Sequence, residues 1–569
     1  MKRRKRWGAL VLAGLMALTA AFPVMAAEKV KPTAEDDNTV TVKNVESGMK
    51  VTAYQIVKGK YNEAGFIGYE AAEGVKIADL EHPTAEEIQA VLTVKEGEDA
   101  SVLESLIKKE LGEETQGEGE TKTTLYKGEL NAGTWLVLVT AGEGADGEVP
   151  PVKVYNPMLV SVKYKIDGSD NTTEGGTVDA ADKWMENGQV VYAKSSEPKP
   201  EKTILEGENG QDETKGTGRE VGDTVVYQIK MQMPSYSQAV YEEAVFTVKD
   251  TLSEGLDFDE AVPVKVTVGG VEVPAGTDTY ELTTPKDGSK ELVIAFASGY
   301  VLENGTREVV ITYGAKINEQ AKVQGLNFDG NANDVTLTYT NGPGSTEDAK
   351  TKAYVYTFGI GASLSGKTDI VGNKVTHEIV KVGEDFVSKD TYEEWVEEGK
   401  PGALAGAEFT LTKVKDRDGN AVTDAVPMTA ETGEGGILTF TGLSEGEYTL
   451  VETKAPEGYS LDSTEHVVKI EAEYQETTGL LTKLKITIDG TVVNEYEAAY
   501  EISQTGETKI TEIVDAGDPD VADTLFVKNT KLSQLPSTGG MGTYLFTILG
   551  VAVMATAAGL FLVRRRKQP

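Results

Sequence analysis

The side chains that most often do chemistry are thinly spread in this sequence. Its three histidines, His82, His377 and His466, are dispersed, so neither a catalytic dyad nor a histidine-based metal site is indicated. There is no cysteine, which excludes disulfide staples. No phosphate-cradling glycine loop and no G-x-S-x-G elbow occurs. Asp416-Arg417-Asp418-Gly419-Asn420 has the oxygens of a calcium loop but lacks the closing bidentate glutamate, and it reads as a hairpin turn. No metal and no cofactor is expected. A hydrolase hidden in exposed carboxylate pairs is disfavoured because no catalytic constellation is visible. Lys+Arg 55 against Asp+Glu 92 gives a formal charge of −37, which argues against a nucleic-acid partner and describes a solvated surface.

The two ends are more specific. Lys2, Arg3, Arg4, Lys5 and Arg6 precede an apolar run from Ala9 to Ala21, and Val24-Met25-Ala26 offers small residues for cleavage. Residues 1–26 therefore read as a signal peptide, the apolar run being short for a membrane anchor. At the other end, Leu535-Pro536-Ser537-Thr538-Gly539 is followed by a spacer, an apolar stretch from about Tyr544 to Val563, and Arg564, Arg565, Arg566 and Lys567. Twenty helical residues cover about 30 Å, one hydrocarbon thickness, and the basic cluster would stay cytoplasmic. The three parts in this order (535–569) resemble a sortase sorting signal. The resemblance implies cleavage between Thr538 and Gly539 by a sortase cysteine, leaving a thioacyl enzyme for an amine to attack. The mature protein would then carry no transmembrane helix. Losing five positive residues at one end and four at the other would take its charge to about −46.

Between the ends, period-two alternation separated by turn residues predicts antiparallel strands, as in Thr39-Val40-Thr41-Val42, Thr224 to Ile229 and Val264 to Val268. The fold expected is all-β, in tandem immunoglobulin-like sandwiches. Minor helical insertions fall in the first domain, as two short helices between Thr84 and Leu111, the second from Val102. Ser195-Ser196-Glu197-Pro198-Lys199-Pro200 and Asn341-Gly342-Pro343-Gly344-Ser345 mark composition shifts. They divide the chain into 28–195, 196–348 and 349–532.

The stretch from Tyr448 to Tyr459, with Glu452 in Leu450-Val451-Glu452-Thr453-Lys454, resembles the E-box of pilins and collagen-adhesin-type B domains. Leu404-Ala405-Gly406-Ala407-Glu408-Phe409 is similar to the family's "L-x-G-A-x-F" strand, and Leu525-Phe526-Val527-Lys528-Asn529 to its closing strand. With the sorting signal, these place the chain, by resemblance, among the LPXTG-anchored major pilins of Gram-positive bacteria. That implies secretion, attachment to peptidoglycan, and covalent linkage into a pilus shaft. Pilus and housekeeping sortases and neighbouring subunits would be the partners, with a host surface ligand where adhesion is served.

In that family a lysine on the first strand and an asparagine on the last join in a spontaneous isopeptide bond. Burial strips the ammonium of its proton and leaves a nucleophilic amine, and a buried carboxylic acid polarises the asparagine carbonyl while ammonia leaves. Carried over, Glu452 is the acid and Asn529 the acceptor of the last domain. Alternation favours Lys381 as its lysine over Lys367 and Lys374, although Gly383 to Gly402 looks like an insertion in the family pattern. The middle domain resembles the A-type isopeptide domain through Val221 to Val225 and Val248 to Leu256. Asp250 would be its acid, Lys202 its lysine and Asn341 its acceptor, with Asn333 the alternative. The first domain has no E-box, so no such bond is expected there.

Its exit strand, Trp184 to Lys194, resembles the pilin motif whose lysine attacks the sortase-bound threonine of another subunit. Ala193 replaces the usual proline, Ser195 the usual asparagine, and one extra residue follows Trp184. Lys194 is the expected acceptor for Thr538, with Lys183 and Lys199 as competitors. A monomeric wall-anchored adhesin would need the sorting signal but no acceptor lysine; a base or tip pilin is the nearer rival.

Overall fold

The computed structural model describes residues 29–566 except 93–100, 117–122, 145–146, 150–151, 166–176, 181–182, 186–187, 208–209, 237–240, 242, 287, 325–329, 343–344, 362–377, 387–398, 503–507, 516–523 and 533–540. The leader, the Leu535–Gly539 motif with Thr538, and the candidates Lys367 and Lys374 lie outside these residues.

The architecture is strand-built, as the alternation requires. In the first part the principal strands are β1 (Asp37–Lys43), β2 (Lys50–Asn62), β3 (Lys108–Gln116), β4 (Thr123–Asn131), β5 (Gly133–Thr140), β6 (Met158–Val162) and β7 (Gln189–Tyr192), in spatial order 6-5-2-3-4-1-7. Their inward residues, among them Val40, Val42, Tyr126 and Trp135, form one core. A satellite core under Ile56 and Leu136 is closed by α1 (Ala85–Leu92). The second helix expected there is not formed. Val102–Ser105 makes a single 3-10 turn, and the chain then extends into β3, where Leu111 pairs with Val51 and Gly112 with Lys127. Two strand partners outweigh the weak helical tendency of Lys108-Lys109-Glu110-Leu111, which Gly112 would have ended in any case.

The middle part packs two sheets around a large core that includes Tyr227, Phe246, Ile311 and Leu337. One sheet holds β8 (Glu201–Glu206), β9 (Thr224–Gln232) and, beyond β10 (Phe246–Leu252) and β11 (Glu291–Phe296) in the chain, β12 (Glu308–Ile317). The facing sheet joins β10 and β11 to β13 (Asn331–Gly342) and β14 (Ser345–Ile360).

β14 runs unbroken through residues 348 and 349, where the composition shift suggests a boundary. Its first half pairs with β13, and Ala353 and Val355 point into the middle core. The alternate positions Tyr354, Tyr356, Phe358 and Ile360 belong to the third core. One strand thus serves two cores through its period of two.

The third part adds β15 (Ile379–Val382), β16 (Glu408–Lys415), β17 (Phe440–Leu443), β18 (Gly446–Lys454), β19 (Glu465–Tyr474), β20 (Leu481–Ile488), β21 (Thr491–Ile502), β22 (Thr508–Asp515) and β23 (Leu525–Lys528). β16, β18, β19, β20, β21 and β22 lie side by side in one sheet, β15 pairs in parallel with β23, and β17 pairs with the end of β14. The Asp416–Asn420 segment is the tight turn expected. Asp416 accepts the backbone N–H groups of Asp418 (3.0 Å) and Asn420 (2.8 Å), so its carboxylate is used by its own loop. Arg417 leaves that turn to pair with Glu206 of the middle part, which Arg219 also holds at 2.6 Å. The chain ends in α2 (Met541–Arg565), apolar over Tyr544–Arg565 and long enough to cross a membrane.

Candidate functional site

Among the described residues two lysines are wholly buried, and each lies in a different part of the molecule. Lys381 sits on β15, whose parallel pairing sets it opposite Val527 on β23. The backbone N–H of Asn529 bonds Val382 (2.9 Å), which carries the asparagine side chain to the amine. Lys381 Nζ is 2.5 Å from Asn529 Oδ1 and 3.1 Å from Glu452 Oε1, and Asn529 Nδ2 donates to the same Glu452 oxygen at 2.9 Å. A single carboxyl oxygen therefore bridges the amine and the amide nitrogen. Glu452 Oε2 accepts the Asp462 backbone N–H at 2.8 Å, which fixes the carboxyl plane. Phe409, opposite Glu452 in the sheet, covers the amine with its ring centroid 5.4 Å away. Burial lowers the Lys381 amine below its ordinary value, against the pull of Glu452.

In the middle part, Lys202 on β8 faces Asp250 on β10 across the sandwich, and their side chains are in direct contact with essentially no solvent access. The Lys202 amine also donates to the Tyr313 hydroxyl at 2.8 Å, and the rings of Tyr227 and Tyr313 lie 4.7 and 5.3 Å from it. Burial pushes the amine down to about 8, Asp250 opposing, and pushes the Asp250 carboxyl up, Lys202 opposing.

The asparagine at this site is Asn333, whose Nδ2 donates to the Tyr313 hydroxyl at 2.6 Å. It sits opposite Leu252, two residues from Asp250. Asn341 is not brought here. It lies eight residues further along β13, about 26 Å at strand rise, and accepts from Ser345 at 2.8 Å. Asn331, Asn333 and Asn341 share one parity and all are buried, so alternation alone could not choose between them. Tyr313 was missed because Val310-Ile311-Thr312-Tyr313 reads as ordinary buried strand.

The first part offers no matching arrangement among its described residues; its buried polar side chains are Thr41, Thr52, Gln55 and Thr134. Lys194 is exposed at the end of β7, its carbonyl held by the Asn156 N–H at 3.0 Å. It lines a groove of about 650 Å³ with Asn44, Glu46, Thr123, Lys153 and Ser195. Of the competitors, Lys183 is tied to Asp36 at 2.5 Å, and Lys199 is exposed.

Comparison with known proteins follows the same layout. A T6 antigen Ig-like domain matches residues 35–195, and a Gram-positive pilin backbone subunit 2, Cna-B-like domain matches 221–343. A SpaA prealbumin-like fold domain matches 396–485, and an LPXTG cell wall anchor motif 527–568. The trypsin-resistant surface T6 protein of Streptococcus pyogenes serotype M6 is 28% identical over 576 residues, covering 95% of this chain and 97% of that protein. The solved T6 backbone pilin of serotype M6 Streptococcus pyogenes superposes with a TM-score of 0.51 at 21% identity, covering 88% of this chain and all of that one, and shares the fold. The full-length major pilin SpaD of Corynebacterium diphtheriae gives a TM-score of 0.43 at 18% identity over 88% of this chain and 99% of its own. The chain is thus a homologue of the T6 surface protein along nearly its whole length, and it carries a Gram-positive pilin backbone domain and an LPXTG cell wall anchor motif.

Proposed function

We propose that this pilin forms two internal isopeptide bonds, Lys381–Asn529 assisted by Glu452 and Lys202–Asn333 assisted by Asp250. We further propose that it polymerises through Thr538 joined to Lys194 of a neighbouring subunit. The observation that carries the reading is the pair of fully buried lysines, each against a carboxyl group, one touching an asparagine directly and the other sharing a tyrosine hydroxyl with one. Such a pair is costly to keep as ions: desolvating both charges takes several kcal/mol per ion, so a neutral amine beside a neutral acid is the favoured form. The amine then attacks the asparagine Cγ, and one ammonia leaves per bond. The Lys381–Asn529 bond would close 148 residues, removing on the order of 5 kcal/mol of unfolded-state entropy in the loop-closure picture. It would also brace a chain without cysteine.

Exposure and a strand end support Lys194 as the intermolecular acceptor, since the amine must reach a thioacyl enzyme. Sortases would act at Thr538 for both polymerisation and wall attachment. Intact-mass measurement of the exported chain tests the internal bonds: a deficit of about 34 Da is expected, about 17 Da for each ammonia lost, and an unshifted mass refutes them. Tandem mass spectrometry of digested pili tests the linkage, with Thr538 expected on the Lys194 side chain. A branch on Lys183 or Lys199 would reassign the acceptor, and no branch would leave a monomeric adhesin.

A further inference from the structure

Resting on the proposed Lys202–Asn333 bond, we infer that Tyr313 is a catalytic residue of that reaction, relaying the proton that must pass from the attacking amine to the departing amide nitrogen. Its hydroxyl lies 2.8 Å from Lys202 Nζ and 2.6 Å from Asn333 Nδ2, and both nitrogens donate to it. A hydroxyl has two acceptor sites and one hydrogen. With both acceptor sites filled, its own hydrogen remains for an oxygen at the site. Asp250 Oδ1 and Asn333 Oδ1 are buried there without a hydrogen-bond partner. Burial, with Asp250 adding to it, keeps the phenol protonated far above its ordinary range. It is therefore available as a donor at any physiological pH.

The need for a relay follows from the length of the acid. In the last domain one oxygen of Glu452 touches both Lys381 Nζ and Asn529 Nδ2. Asp250 is one methylene shorter; it contacts the lysine, and the hydroxyl that bridges amine and amide is that of Tyr313. In the reaction the Lys202 lone pair forms the Nζ–Cγ bond, and the carbonyl π pair moves to Oδ1, where neutral Asp250 donates. The former amide nitrogen is then tetrahedral and carries a lone pair. Tyr313 passes its hydrogen to that nitrogen as it takes one from Nζ. The Cγ–Nδ2 bond breaks, ammonia leaves, the carbonyl reforms as its proton returns to Asp250, and Tyr313 ends unchanged.

The test is a pulse of synthesis of the full chain, quenched at intervals in denaturant and digested, with both cross-linked peptides quantified. Tyr313→Phe should slow formation of the Lys202–Asn333 peptide by about 10²-fold or more, the usual worth of general acid–base assistance, and leave Lys381–Asn529 at its normal rate. Tyr241→Phe removes a buried hydroxyl elsewhere in the same core and should change neither rate. An unaltered rate in Tyr313→Phe, or equal slowing in Tyr241→Phe, overturns the relay. Absence of the Lys202–Asn333 peptide from the unaltered chain overturns instead the bond on which it rests. Should Tyr313→Phe prove protease-sensitive, the same question can be put to the other site. There, adding Phe409→Tyr to Glu452→Asp should restore the cross-linking rate that the shortened acid lowers. Failure to restore it overturns the relay.

Discussion

The middle and last domains hold a buried lysine by different means. In the last domain, amine and amide meet on one glutamate oxygen, whose partner oxygen is fixed by the Asp462 backbone, under a phenylalanine ring. In the middle domain an aspartate contacts the amine, and Tyr313, from the same sheet as Lys202, touches both amine and amide. The difference teaches that the acid and the aromatic cover of such a site are not independent choices. Shortening one by a methylene is matched by a hydroxyl on the other.

The largest effect expected is loss of a bond outright. Glu452→Ala should abolish Lys381–Asn529 alone and Asp250→Ala should abolish Lys202–Asn333 alone, each cutting the deficit from the variant's own sequence mass by about 17 Da through the retained ammonia. Each should also lower the thermal midpoint, because a buried amine is left without its partner at a cost of about 3–5 kcal/mol beyond the lost cross-link. Peptide mapping that finds either bond in its own mutant would break the acid assignment.

A smaller effect separates the two designs. Glu452→Asp gives the last domain a short acid without a compensating hydroxyl, so its cross-linking should slow by about 10²-fold. A rate within a few-fold of the unaltered chain would show that acid length is immaterial.

The middle site should also show its chemistry in pH. Amine and acid react as a neutral pair holding one proton between them. Above the amine's value of about 8 that proton is lost, so the initial rate should fall about tenfold per pH unit. Below it the rate should be level until the pair takes up a second proton at the raised Asp250. Pulse experiments at pH 7, 8, 9 and 10 would reveal this profile, and a rate that climbs above pH 8 contradicts it.

The smallest effect tests independence of the two sites. Arg417→Ala leaves Glu206 still held by Arg219, so it should cost on the order of 1 kcal/mol and spare both cross-links. Loss of either bond in that variant would show the sites to be coupled.

Much of this was legible in residue order. Lys381, Glu452 and Asn529 come together as the flanking strands imply, because each sits in a strand whose alternation points it inward. Lys202 and Asp250 follow for the same reason. Asn333 cannot be preferred to Asn341 from residue order, because period two gives both the same face and says nothing of height along a 12-residue strand. Tyr313 carries no local mark at all; β12 lies in the same sheet as β8 with β9 between them, and only the packing of that sheet on its partner sets the hydroxyl beside Lys202 and Asn333. The missing helix at Val102–Leu111 and the unbroken β14 share one cause. In both, pairing with distant strands overrode a local signal.

β14 also bears on how such proteins can vary. Its 16 residues span about 53 Å and supply alternate side chains to two cores, small ones to the middle and aromatic ones to the last. A one-residue insertion would exchange Ala353 and Val355 for Tyr354 and Tyr356 on both faces at once. Tyr356 would lose its hydroxyl contact with the Leu481 N–H (3.0 Å) in the same step. Recombination between related genes therefore has no safe joint within 345–360.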